Sequence, residues 1–140
     1  MTILVDTNVI LDILLKREPY VNEAQIIMTK CADQEIIGYL AAHTIPNIFY
    51  ILRKVYSQEE RRRFIKNLCE IFRISDLNAE KILAAVDNEG FLDFEDCLQE
   101  ECAFEAIADY IVTRNPGDYK ESRVKVIEPS EFVRLLEEGN

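Results

Sequence analysis

At 140 residues, 49% hydrophobic and 30% charged, the chain has the size and composition of one globular domain, 1–140, whose core needs neither disulfides nor a structural metal. No apolar run reaches the roughly 18 residues of a membrane helix, and Asp6 interrupts the N-terminal apolar stretch, so no membrane contact is expected and the expected location is cytoplasmic. A formal net charge of −10 argues against a broad, nonspecific nucleic-acid-binding surface and leaves room only for a local basic patch.

Ile3-Leu4-Val5-Asp6 reads as a short buried strand ending on a carboxylate, and Thr7-Asn8 leads into an apolar helix over 9–15 that Pro19 stops. A second helix over about 21–32 and a strand over 36–42 follow, and Pro46 sits near the first turn of a third helix that runs to about 56. Ser57-Gln58-Glu59-Glu60 has the form of a helix cap with acids in its first turn. That helix carries Arg61, Arg62, Arg63 and Lys66, the most basic spot in the chain and the place to look for phosphate contacts; the plainer alternative is a solvated face balanced by Glu59, Glu60 and Glu70.

Residues 71–74 suggest a short strand, and 77–88 a helix with Ile82, Leu83 and Val86 on one side. A further helix over about 93–108 is expected to pack through Phe94, Leu98, Cys102 and Ala106. A strand over 110–113, a Pro-Gly loop over 114–119, a strand over 124–127 and a helix from Pro129 close the chain. Alternating strands and helices predict a three-layer α/β/α sandwich around a parallel sheet of four to five strands. Cys31, Cys69, Cys97 and Cys102 lack CxxC spacing and His43 is the only histidine, so free thiols are expected in place of a zinc site.

The chemistry rests on which carboxylates meet. Asp6 ends the first strand, where open α/β sheets place their ligand crevices. Asp93 and Asp96, three residues apart at a helix start, share a face that Glu100 continues, and Asp118 follows the 110–113 strand near Asn115. Facing carboxylates with no Lys or Arg between them repel unless a cation fills the space, and hard oxygen ligands suit Mg²⁺ or Mn²⁺. Duller roles stand beside these: Asp93 as a helix cap, Thr7 and Asn8 as caps or Asn8 as a partner orienting Asp6, Asp12 as a solvated residue, His43 as a satisfied loop histidine. Asp109 begins a strand at the opposite edge and is set aside.

The Asp6-Thr7-Asn8 opening, the Asp93-Phe94-Glu95-Asp96 helix start and the segment from Ile111 through Thr113-Arg114-Asn115 to Asp118-Tyr119 resemble a PIN domain of the sort found in VapC-type toxins. The resemblance spans nearly the whole chain and implies a Mg²⁺- or Mn²⁺-dependent ribonuclease, a hydrolase acting on single-stranded RNA, with Asp6 as the first acid of a quartet and Asp96 as the third. It leaves the fourth at Asn115 or Asp118. It puts the second, usually a Glu, at Asn47, a neutral amide that brings one negative charge fewer; Asp93, a turn before Asp96, is a compensating candidate. Read this way, Asp6, Asp96 and Asp118 hold the metal, Asn8, Asn47, Asp93 and Asn115 assist, and Arg114 joins the basic helix as a nucleic-acid contact. The same resemblance implies an antitoxin protein as partner, and a homodimer. The alternative is a catalytically silent binding or interaction module on the same fold. A phosphatase of similar topology wants a second acid where Asn8 stands.

Overall fold

The structure is a computed structural model and describes residues 1–91 and 93–139. In chain order it runs β1 (Thr2–Val5), α1 (Thr7–Leu14), α2 (Val21–Ala32), β2 (Ile37–Ala41), α3 (Thr44–Ile51), α4 (Gln58–Ile71), β3 (Arg73–Ser75), α5 (Ala79–Asp87), α6 (Phe94–Glu105), β4 (Tyr110–Val112), β5 (Val126–Ile127) and α7 (Pro129–Glu138). Short 3₁₀ turns at Leu52–Lys54 and Pro116–Tyr119 extend α3 and follow β4. The strands form one parallel five-stranded sheet in the order β3-β2-β1-β4-β5, within the predicted sandwich.

Alternation along β1 builds the two layers, because successive side chains of a strand point to opposite faces. Ile3 and Val5 enter the larger core with Val9, Ile10, Ile27, Leu52, Leu68 and Phe132, from α1, α2, α4, α7 and the turn after α3. Leu4 faces the other way, with Ala41, Cys102, Ala103, Ile111 and Tyr119 under α6. At Gly38 on β2 a Cβ would lie 2.6 Å from Cys31 Sγ and 2.7 Å from the Phe72 ring, so only glycine lets α2 and the end of α4 close over the strand. The four cysteines are free thiols.

Element boundaries moved where local chemistry competed with periodicity. Asn78 accepts the Lys81 N–H at 3.0 Å, so α5 begins at Ala79, later than the apolar pattern suggests. The Ser57–Glu60 capping box forms as expected and starts α4, which runs on to Ile71 and pushes β3 down the chain.

Two packing expectations are corrected. On α5 the buried residues are Lys81 and Ala85, while Leu83 and Val86 stand exposed at 62% and 61%. Lys81 turns inward because Asp76 and Glu105 meet its ammonium at 3.3 and 2.7 Å. On α6, Phe94 is half exposed, and the buried stripe runs through Cys97, Leu98, Gln99, Glu100, Cys102 and Ala103.

Candidate functional site

Parallel strands bring their carboxyl ends to one edge of the sheet. At β1 the order reverses, with β2 and β3 on one side and β4 and β5 on the other, and such a switch point leaves a crevice between the outgoing loops. Asp6 follows β1 directly and Thr113 follows β4.

Two bonds hold Asp6, and a third sets its Thr113 partner. Its backbone N–H donates to Val112 O at 3.0 Å, extending the ladder by one residue. The Thr113 hydroxyl donates to Asp6 Oδ2 at 2.7 Å, and the Asn115 N–H donates to Thr113 Oγ1 at 3.1 Å, which turns the hydroxyl proton toward the carboxylate. Asp6 is 6% exposed, and burial raises its pKa above the ordinary value; the Thr113 bond pulls it down, and Glu95 and Asp118 push it up.

The first turn of α6 supplies the facing wall. Asp93 caps it, accepting the Asp96 N–H at 3.1 Å. Asp96 is pushed up to about 7 by burial and then by the charges of Asp93, Asp6 and Asp118. The hydroxyl of buried Tyr119 donates to Asp96 Oδ1 at 3.4 Å, from the turn that also carries Asp118. Asn47, on α3, donates its amide to Glu95 Oε1 at 2.7 Å.

Below the cleft, Thr7 and Thr44 share a hydroxyl hydrogen bond of 2.9 Å, and the Gln99 amide donates to both at 3.3 and 3.2 Å. This buried knot ties α1, α3 and α6 together at the level where their site residues emerge.

The cleft has a volume of about 470 Å³. Asp6, Asn8, Asn47, Asp93, Glu95, Asp96 and Asp118 make its polar wall, with Leu11, Tyr50 and Ile51 among the remaining lining residues and no Lys, Arg or His. The donor set is therefore all oxygen, which fits Mg²⁺ or Mn²⁺ in chemistry and in charge. Among the described residues no three acids stand close enough to form a ready cage. That spacing still suits Mg²⁺, which keeps several waters and takes only one or two carboxylates directly.

Of the residues singled out by sequence, Asp6, Asn8, Asn47, Asp93, Asp96 and Asp118 come together here. Asn115 does not: it lines a neighbouring cavity with Pro19, Tyr20 and Arg114, and its backbone N–H donates to Thr113 Oγ1, whereas Asp118 lines the cleft. Arg114 is bound by Asp12 at 2.7 and 3.1 Å and lies 4.1 Å from the Tyr20 ring centre. Asp12 is accordingly fully buried and ion-paired, correcting its solvated assignment. Glu100 is equally buried and grips Arg123 at 2.6 Å, so it does not continue the acidic face.

Arg61 stacks on Phe49 and donates to its carbonyl at 2.8 Å; Arg62, Arg63 and Lys66 are exposed on α4, and none of the four lines the cleft. Thr113, not Asn8, orients Asp6, and Asp6 itself takes the N-cap position of α1 without a side-chain cap bond. Both ring nitrogens of His43 are buried without a well-formed hydrogen bond among the described residues, and burial lowers its pKa more than the nearby Glu95 backbone raises it, so the satisfied loop histidine expected is not what the structure shows.

Sequence reasoning missed Glu95, Thr113, Gln99 and the Tyr50–Arg53 pair, whose guanidinium lies 3.6 Å over the ring. Glu95 is passed over by the i, i+3 spacing from Asp93, because neighbouring helical positions lie about 100° apart. Its signal was its place in the first turn, which presents a wide arc to an open cleft.

A family model described as PIN domain matches residues 2–116. Among solved structures, the chain is similar to VapBC2 from Rickettsia felis bound to a DNA fragment from its promoter, with 15% identity, a TM-score of 0.65 and coverage of 91% of this chain and 98% of that one. It is similar to FitAcB from Neisseria gonorrhoeae, with 20% identity, a TM-score of 0.64 and coverage of 91% and 98%. A toxin-antitoxin complex from Klebsiella pneumoniae gives 19%, 0.66, and 90% and 96%. At these identities the likeness establishes the fold. No curated protein matches the chain.

Proposed function

The chain belongs to the PIN domain family, and from that premise we propose that it is a Mg²⁺- or Mn²⁺-dependent endoribonuclease acting on single-stranded RNA. The observation that carries this reading is the cleft at the switch point, where Asp6, Glu95, Asp96 and Asp118 share one water-accessible space with no basic side chain in its lining. Four carboxylates so arranged are a repulsive set that a divalent cation would relieve.

Asp6, Asp96 and Asp118 are the residues that would hold the cation. When bound, it supplies positive charge for the phosphodiester oxygens and an acidified water for hydrolysis. The chain's own work is to hold the carboxylates. Thr113 keeps Asp6 turned into the cleft, Asp93 sets the helix start that presents Asp96, and Tyr119 holds one Asp96 oxygen from the turn that carries Asp118. Tyr50, 62% exposed at the rim, offers a ring face beside Arg53 on which an unpaired base can stack.

A protein partner, in the manner of an antitoxin, is part of the proposal. Leu83, Val86 and Phe94 leave apolar side chains exposed on α5 and at the α6 start, and Tyr50 and Val55 do so beyond the other wall of the cleft. The complexes named above, in which related folds are found with a partner, support that reading. Among the described residues no helix is long and apolar enough to cross a membrane.

The test is cleavage of a 5′-labelled unstructured RNA by purified protein with Mg²⁺, Mn²⁺ or EDTA, beside Asp6→Asn and Asp96→Asn. Metal-dependent cutting that both substitutions abolish is the expected result. A second reading, the silent binding module, draws on Asn47 and on the absence of a ready cage. No cutting in any metal, together with no divalent binding by calorimetry, selects it.

A further inference from the structure

We propose that Glu95 supplies the carboxylate missing at position 47, and that the Asn47 amide serves as its positioning residue. This rests on the metal-dependent reading of the same cleft. The resemblance puts an acid on α3 at position 47, where this chain has an amide. The structure puts a carboxylate 2.7 Å from that amide nitrogen, reached from α6 across the cleft.

The distance is that of a close hydrogen bond, and the remaining Glu95 oxygen makes no hydrogen bond or ion pair among the described residues. Glu95 is also the first-ranked charge acting on Asp6, ahead of Asp118, so it sits within electrostatic reach of the same space. The negative charge lost from α3 is therefore restored from α6, and beside the capping Asp93 the cleft keeps four acids.

Asp93 is the weaker candidate for this role. It also lines the cleft, but one of its oxygens already accepts the Asp96 N–H as the helix cap, and drawing that oxygen to a cation would undo the α6 start. Glu95 carries no such duty. Asn47 cannot replace the charge itself, but a glutamate side chain has three free torsions, and an amide donor at 2.7 Å selects the rotamer that faces the cleft.

The arrangement permits an exchange experiment. Glu95→Gln keeps an oxygen that can accept from Asn47 and removes only the charge. Asn47→Ala keeps the charge and removes its guide. The double variant Asn47→Glu/Glu95→Gln returns the charge to α3 and reverses the hydrogen bond. Mn²⁺ affinity is read by calorimetry on the metal-free full chain, with thermal midpoints checked for each variant and Glu137→Gln, at the far end of α7, as a control for net charge.

Expected are a loss of at least about tenfold for Glu95→Gln, a smaller loss for Asn47→Ala, and return to within about threefold of the parent in the double variant, within the range that supporting residues of metal sites usually command. Glu95→Gln behaving like Glu137→Gln overturns the proposal and leaves the nuclease reading standing. A double variant as weak as Glu95→Gln also overturns it. A parent chain that binds no Mn²⁺ removes the metal-dependent reading and this proposal with it.

Discussion

Asp12 and Glu100 on one side, Asp6 and Asp96 on the other, are all carboxylates drawn out of bulk water, and the protein treats the two pairs in opposite ways. Asp12 is gripped by Arg114 at 2.7 and 3.1 Å with Arg17 at 3.6 Å, and Glu100 by the side chain and backbone of Arg123 at 2.6 to 3.2 Å. Asp6 and Asp96 receive hydroxyl hydrogen bonds and share a cleft whose lining holds other acids and no basic side chain. A buried charge that is neutralised in place serves packing; one left among like charges costs stability unless something arrives to neutralise it. The difference marks Asp12 and Glu100 as structural and leaves the Asp6–Asp96 cleft as the place where the proposed cation would be held.

That contrast breaks first at the cleft. Asp6→Asn or Asp96→Asn is expected to lower metal-dependent cleavage by more than about 100-fold, beyond what loss of a supporting residue costs, while the metal-free protein keeps or raises its thermal midpoint because a repulsive charge has gone. A fall in midpoint for both variants would place these acids with Asp12 and Glu100.

The converse substitution is Arg114→Met, which strands the buried Asp12 charge. A loss of roughly 3 kcal/mol in urea unfolding is expected, at the lower end of the usual range because Arg17 remains nearby. Asp12→Asn in the same background should return part of it, and failure to do so would show that the cost lay in the lost stacking on Tyr20.

Protons sharpen the contrast in a third way. Asp96 has a folded pKa pushed up to about 7 against an ordinary 3.8, so between those values the folded chain holds a proton that the unfolded chain has released. Stability of the metal-free protein therefore falls as pH rises through that window and levels off above it, and Asp96→Asn flattens the slope of thermal midpoint against pH. Mn²⁺ competes with the same proton, so its affinity climbs over the same range.

The mildest effect on the cleft is expected from Thr113→Val, which removes the hydroxyl that orients Asp6 and should weaken Mn²⁺ binding by about tenfold. On the outer surface, Arg62→Ala and Arg63→Ala should change stability by less than about 0.5 kcal/mol. A larger change would mean that α4 packs through those side chains.

Much of the fold was legible because its signals are local. The apolar run Ile3–Val5 with Asp6 after it, the Ser57–Glu60 box and Pro129 at a helix start each act within a few residues, and each appears where chain chemistry put it. Exposed Leu83 with buried Lys81 was not legible, since periodicity reports an apolar face and cannot report that the exposed carboxylates of Asp76 and Glu105 converge on the Lys81 ammonium. Of the cleft, Asp6, Asp96 and Asp118 were legible as acids at the carboxyl edge, whereas Asn115 and Asp118 could be separated only once the turn after β4 was placed.

By itself the sequence determined the parallel α/β alternation, the edge of the sheet on which carboxylates gather and the family to which they point, because strand ends, caps and breakers are short-range physics. Tertiary structure alone decided which charges are cancelled. Arg114 goes to Asp12 across 102 positions, Arg123 to Glu100 across 23, and Asn47 to Glu95 across 48. Those pairings depend on how helices pack across the sheet, and no spacing along the chain encodes them.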